Sequence, residues 1–283
     1  MALSTRGLTE ARWLPAASLS AACALWGSAF YFAKIALDEL SVIEVLIYRF
    51  GLAAPILGAI IYRARTVLGR RDVVWIVVTG ILCVPVGYLI HFAGLERTSV
   101  THASLLVGVG PAMLAVTASI LGLERVGLKS WTAVGLSTIG VLLMIGLPGG
   151  DGDLLGDALV FVSMLVATAW ILLSQDLSRR LGASVATAWI LLVGTVALVP
   201  LAMATGLPPT DLSPRTWGAV AALSLGGTVM AFMLWNWGAS RYTAGSAGVF
   251  LNLEPVVGVL MGVTLLGEVA GASGLLGGGI ILA

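Results

Sequence analysis

Charge is what this sequence has least of. Only 10% of its 283 residues are Asp, Glu, Lys or Arg, against about a quarter in a soluble domain, which excludes a water-facing enzyme core. The 15 basic and 14 acidic side chains leave a net charge of +1, so there is no broad basic field for nucleic acid and no acidic tail for a partner. Histidine is reduced to His91 and His102, and cysteine to Cys23 and Cys83. That inventory supplies neither a metal cluster nor a disulfide framework, and no cofactor is expected. Both thiols lie in apolar stretches, where they pack as small hydrophobes. What the chain does have is 59% apolar residues, 36 Gly and 9 Trp. With a mean hydropathy of +1.04, it holds more apolar surface than one interior can hide, and the excess is expected to face lipid.

Runs of about 17 to 23 apolar residues, enough to cross roughly 30 Å of hydrocarbon, recur along the chain. They cover approximately Leu14 to Ala33, Val42 to Tyr62, Val73 to Phe92, Ala103 to Leu121, Trp131 to Leu147, Leu154 to Leu173, Val185 to Thr205, Trp217 to Gly238 and Ala244 to Leu266. A tenth begins near Gly271 and stops at Ala283, so its end is expected to be trimmed. The first run is long, contains Trp26 and has no small-residue cleavage site, and is expected to remain as a span rather than be cut as a signal. With the N-terminus inside, the inner links hold Arg6, Arg12, Arg63, Arg65, Arg70, Arg71, Arg125, Lys129, Arg179, Arg180 and Arg241, and the outer links only Lys34, Arg97 and Arg215. Lys and Arg are retained on the cytoplasmic side, so the N-terminus is expected there. Trp13, Trp75, Trp131 and Trp217 stand at span ends as interfacial anchors.

Sliding the chain on itself by 144 residues pairs Trp26 with Trp170, Gly94 with Gly238, Arg97 with Arg241, Pro111 with Pro255, Glu124 with Glu268, Gly127 with Gly271 and Gly135 with Gly279. Five spans per copy force the second copy to enter the membrane from the opposite face. Inverted repeats underlie many alternating-access carriers, with substrate held near the midplane between the copies. The plain alternative is an old duplication that now only scaffolds.

The Trp26-Gly27-Ser28 stretch ending in Lys34, Arg49 in the second span, Pro111 in the fourth and the Gly267-Glu268 turn after the ninth resemble the drug/metabolite transporter superfamily, EamA type. Within it the chain looks like aromatic amino acid exporters of the YddG kind. The resemblance implies an all-α membrane protein of ten transmembrane helices in two inverted five-helix repeats, residues 1–147 and 148–283. It also implies a bacterial inner-membrane exporter with both termini cytoplasmic. The first copy departs from the Gly-Glu turn, having Leu123-Glu124.

Charged side chains at mid-membrane cost about 2.5 to 3.5 kcal/mol on insertion scales and need a partner, water or a task. Glu254 lies deep in the ninth span, directly before Pro255. Pro255 and Pro111 each remove a backbone donor and free a carbonyl, of Leu251 and of Val107, so both are expected to act as hinges. Glu254 then accepts a substrate ammonium or a coupling proton; otherwise it is a neutral acid bonded within the bundle. Arg49 clamps a substrate carboxylate, or else pairs with Glu44 or Glu254 to hold helices together. Glu44 and Asp157 sit near the outer edge and read as solvated.

His91 and His102 would share one side of the membrane, where an imidazole responds to pH. Tyr88 with His91, and Phe232 with Trp235, each share a helical face and are paired by the repeat. With Trp26, Trp170 and Asn252 they complete the expected substrate-binding set, unless the aromatic stripes merely pack. Two motifs are set aside. Gly122 to Ser130 departs from a phosphate-binding loop because Leu128 intervenes before Lys129, and the pairs Gly258/Gly262 and Gly274/Gly278 are read as packing of the ninth span on the tenth.

The expected function is a secondary active or facilitative carrier exporting small metabolites, amino acids foremost and aromatic ones among them, with lipid as surroundings and a monomer or homodimer as the unit. An intramembrane enzyme would need converging catalytic groups that the spans do not offer. A passive pore or structural bundle is opposed only by the midplane prolines and Glu254.

Overall fold

In the computed structural model the described residues are 5–120, 153–206, 208–242 and 249–269, together with 131, 132, 135, 136, 139, 247, 271, 272, 275, 276, 279 and 280. Among them the chain is helical. That follows from composition, because a backbone in lipid must satisfy its own N–H and C=O groups. Helix α1 is Thr5–Leu37 and α2 is Val42–Ala64. Helix α3, Arg70–Arg97, contains a π-helical run at Leu82–Tyr88. Two shorter helices follow, α4 (Val100–Val107) and α5 (Gly110–Ile120). Helices α6 (Leu154–Leu181) and α7 (Ala183–Thr205) meet at Gly182, whose φ of 82° suits a residue without a Cβ. Helix α8, Pro214–Ala239, contains a second π run at Ala222–Met230. A 3₁₀ turn at Val249–Asn252 leads into α9, Leu253–Leu265.

Six of these, α1 from Trp13, α2, α3, α6, α7 and α8, are long and apolar enough to cross a membrane. Two of the ten expected spans differ from expectation. The fourth is divided into α4 and α5 at Gly108 and Val109, and the ninth into a 3₁₀ turn and α9. Both breaks fall just ahead of a proline, Pro111 or Pro255. Each proline sits in the first turn of the following helix, where its missing N–H costs nothing. The expected fifth and tenth spans, the 122–130 stretch, Glu124 and the Gly274/Gly278 pair lie wholly or largely outside the described residues.

Helix starts are capped by short polar side chains. Ser41 bonds Glu44 through its backbone N–H (2.7 Å) and hydroxyl (2.8 Å), Ser99 accepts from His102 N, and Ser213 accepts from Thr216 N. One apolar core joins residues of α1 to α4 and α6 to α8, while Val74, Val199, Met203, Leu225, Met230 and Leu260 stand exposed around it. An apolar exterior around a packed core is the arrangement that lipid selects.

Small residues bring the helices close. A Cβ on Gly94 of α3 would stand 2.8 Å from the Gly156 carbonyl of α6, and one on Gly238 of α8 would stand 2.8 Å from the Leu19 side chain of α1. Gly258 and Gly262 face Ser104 and Thr101, so this pair packs α9 onto α4; the tenth span lies largely outside the described residues.

Candidate functional site

Arg49 sits eight residues into α2, about 10 Å along its axis, and is only 4% exposed. Its Nε–H donates to Thr228 Oγ1 at 2.9 Å and its Nη2 to the Gly227 carbonyl at 3.5 Å, both in the π run of α8. The guanidinium carbon stands 4.8 Å from the centre of the Tyr88 ring and 5.6 Å from that of Phe92, and the ring faces stabilise a desolvated cation. Two of the five N–H groups a guanidinium carries are thereby engaged. The others have no hydrogen-bond partner among the described residues.

Glu254 stands in the first turn of α9, half-buried, and accepts no hydrogen bond among the described residues. It forms no ion pair with Arg49. Helix α1 holds it in place from behind: a Cβ on Gly27 would lie 2.5 Å from the Glu254 carbonyl, so only glycine lets α1 and α9 cross there. Glu44 is engaged in the cap of α2, and the alternative pairing of Arg49 with Glu44 is not found.

The expected aromatic residues divide into two groups. Trp26 meets Phe232 at 5.3 Å and Trp235 at 5.4 Å between ring centres, beside Gly27 and Glu254. Tyr88 meets Phe50 at 5.0 Å beneath Arg49. His91 packs on Phe30 at 5.6 Å, and its Nδ1 lies 3.1 Å from Ser163 Oγ. Because Ser163 gives its own hydrogen to the Val160 carbonyl, it must accept from His91, which assigns the imidazole proton to Nδ1. Trp170 packs half-buried against the core on α6, and Asn252 ends the 3₁₀ turn two residues before Glu254.

His102 is elsewhere, in the first turn of α4. Its Nδ1 lies 3.0 Å from Asp157 Oδ2, and Asp157 also accepts the Thr98 hydroxyl. Asp157 is 3% exposed, which corrects its reading as a solvated residue: a buried carboxylate keeps its charge only when donors surround it. Nearby, Lys34 Nζ donates to the carbonyls of Leu95, Glu96 and Thr98 at 2.9, 3.3 and 2.8 Å, closing the C-terminal end of α3. Glu268 accepts the N–H groups of Val100 and Thr101, both at 2.8 Å, at the start of α4. These ties join α1, α3, α4, α6 and the turn after α9 at one end of the bundle. At the other end Arg180 pairs with Asp72 and Asp176, joining α6 to α3. Sequence reasoning singled out none of these as ties. Lys34 and Glu268 drew attention through a motif, the charge count of the links and the repeat, and their partners come from other helices.

A profile of the EamA-like transporter family matches residues 13–146 and again 154–283. Among relatives, an uncharacterized transporter of Archaeoglobus fulgidus is 25% identical over 251 residues, 86% of each chain. The uncharacterized transporter YyaM of Bacillus subtilis is 25% identical over 247 residues, 83% of this chain and 80% of that one. A solved crystal structure superposes with a TM-score of 0.64 at 18% identity, over 97% of this chain and 94% of that one, a likeness of fold. Two copies of one profile, laid end to end over a bundle with six helices long and apolar enough to cross a membrane, leave one conclusion: the chain belongs to the EamA-like transporter family.

Proposed function

We propose that this transporter exports small metabolites, foremost amino acids and aromatic ones among them, from a central site exposed alternately to each side of the bacterial inner membrane. The observation that carries the reading is that Arg49 and Glu254 form no ion pair with each other. Arg49, with N–H groups unpartnered among the described residues, stands over Tyr88, and Glu254, without a hydrogen-bond donor among them, lies where α9 crosses α1 at Gly27, next in sequence to Trp26 with its Phe232 and Trp235 contacts. Opposite charges kept apart in lipid match the two ends of a zwitterion, carboxylate on Arg49 and ammonium on Glu254, with the rings receiving the side chain.

The two-fold match of the family profile and the exchange of partners between copies support an inverted repeat. The C-terminal half of α3 packs on α6, the first helix of the second copy, and that of α8 packs on α1, the first helix of the first. The N-terminus is assigned to the cytoplasm from the basic residues of the links, and Pro111 and Pro255 are assigned as hinges from the helix breaks beside them. The test is flux of a labelled amino acid panel into liposomes carrying the pure protein, with and without a pH gradient. Saturable flux of one or more of them supports the proposal, and flux linear in concentration contradicts it.

A further inference from the structure

Six helical threonines share one habit. Thr79, Thr117, Thr168, Thr195, Thr205 and Thr264 each turn the hydroxyl onto the carbonyl four residues earlier, the ordinary α-helical pattern. Thr228 donates instead to Leu223, five residues earlier, at 3.0 Å. It can do so because Ala222–Met230 is wound as a π helix. With its hydrogen committed to Leu223, the Thr228 oxygen is free to accept Arg49 Nε–H. In this register the hydroxyl stands where it accepts from Arg49.

Three further features mark the run as convertible. The hydroxyl of Ser224 is fully buried and has no partner among the described residues. The π run of α3 contains Pro85, which has no N–H to give an α-helical bond, whereas that of α8 contains no proline and has Gly226-Gly227 in its middle. The exposed stripe carries the π register too: Leu225 is 45% and Met230 52% exposed, five residues apart, with Val229 at 8% between them. Single π turns inside α-helices are rare and frequent at functional sites.

We propose that Thr228 is the positioning residue of the transport site, and that the register of α8 is its switch. In the π register Thr228 holds Arg49 against Tyr88. Conversion of Ala222–Met230 to the α register turns Thr228 away by about 100°, one α-helical residue step, swings Phe232 and Trp235 about the axis of α8, and releases Arg49. The consequence for transport rests on the reading of Arg49 as the carboxylate clamp.

The test places a nitroxide at Leu225→Cys or Met230→Cys, in a protein whose Cys23 and Cys83 are replaced by Ala, and measures collision with oxygen in liposomes. Both positions face lipid in the π register. In Thr228→Val the oxygen accessibility of position 230 is expected to fall several-fold relative to position 225, and in Thr228→Ser to stay at the parent ratio. Arg49→Met, which removes the same hydrogen bond from the other side, is expected to lower the ratio as Thr228→Val does and serves if that variant does not fold. An unchanged ratio in whichever of the two folds overturns the switch. In parallel, Thr228→Val is expected to weaken labelled phenylalanine, read by its KM, roughly tenfold more than it weakens inhibition by phenethylamine, which has no carboxylate and loses only what the displaced rings gave it. A lowered ratio in a protein whose parent moves no labelled amino acid upholds the switch and removes the amino acid reading. Equal weakening of phenylalanine and phenethylamine overturns the positioning role.

Discussion

At the scale of single residues, the chain keeps a guanidinium and a carboxylate in lipid without joining them. Desolvation of Arg49 is offset by Thr228, the Gly227 carbonyl and the face of Tyr88, an arrangement that leaves its other N–H groups without a partner among the described residues. Hydrogen bonds to a charged group are worth about 1.5 to 3 kcal/mol, roughly 10- to 100-fold in affinity. Arg49→Ala and Glu254→Gln are therefore each expected to lower amino acid flux by about that factor in a protein that still inserts, as read by uptake into liposomes at matched protein content. Normal saturable flux in both variants would remove the pair from the mechanism.

Asp157→Ala is a contrasting case. It takes the acceptor from both His102 Nδ1 and Thr98, at about 1 to 3 kcal/mol for each orphaned buried group. A fall of several degrees in the unfolding midpoint in detergent is expected. Arg49 and Glu254 could be singled out in the sequence, because a charged residue inside an apolar run stands out by position alone. The burial of Asp157 was not legible there, since it depends on two residues near the start of another helix, and nothing in its own surroundings along the chain signals them.

At the scale of elements, hydropathy located the helices and the prolines located the breaks, but the π runs were invisible to both. A stretch as apolar as Ala222–Met230 reads alike whether its bonds close after four residues or five. The backbone bonds and the reach of the Thr228 hydroxyl to the Leu223 carbonyl separate the two. Small-residue spacing showed in the same way which face of α9 is bare and not what covers it, which is why Gly258 and Gly262 turned out to meet α4. A methyl group on Gly258 would stand 2.0 Å from Ser104 Oγ. Gly258→Ala is accordingly expected to destabilise the fold by about 1 to 3 kcal/mol, measured by thermal unfolding, and Ser104→Ala to recover part of the loss.

A pH effect belongs to the link between elements. Glu39, in the turn after α1, accepts Ser213 N at 2.9 Å at the start of α8, and the Ser213 hydroxyl and N–H hold its carboxyl below the ordinary carboxylate range. Its folded value lies below its unfolded one, so its contribution is complete above the ordinary carboxylate pKa and disappears as pH falls through the folded value. The stability difference between the parent and Glu39→Gln is expected to be present at neutral pH and absent in strong acid. A constant difference across the titration would show that Glu39 acts by packing.

At the scale of the molecule, helices exchange partners between the two copies. Helix α3 is bound to α6 along its length, by Arg180 with Asp72 at one end, Gly94 on Gly156 further along and Thr98 with Asp157 at the other. Helix α8 is bound to α1 by Gly238 on Leu19 and by Ser18 Oγ donating to the Leu234 carbonyl at 2.8 Å. Arg49 of α2 and Glu254 of α9 stand beside these two pairs, so movement of one pair against the other would change what the site faces. The experiment that bears most directly on this account is counterflow. Liposomes carrying the protein are loaded with unlabelled phenylalanine and placed in a trace of labelled phenylalanine. A carrier with one central site accumulates label transiently above equilibrium, and Arg49→Ala abolishes the overshoot. Label that enters only to equilibrium, at the same rate whether or not the vesicles are loaded, would contradict it.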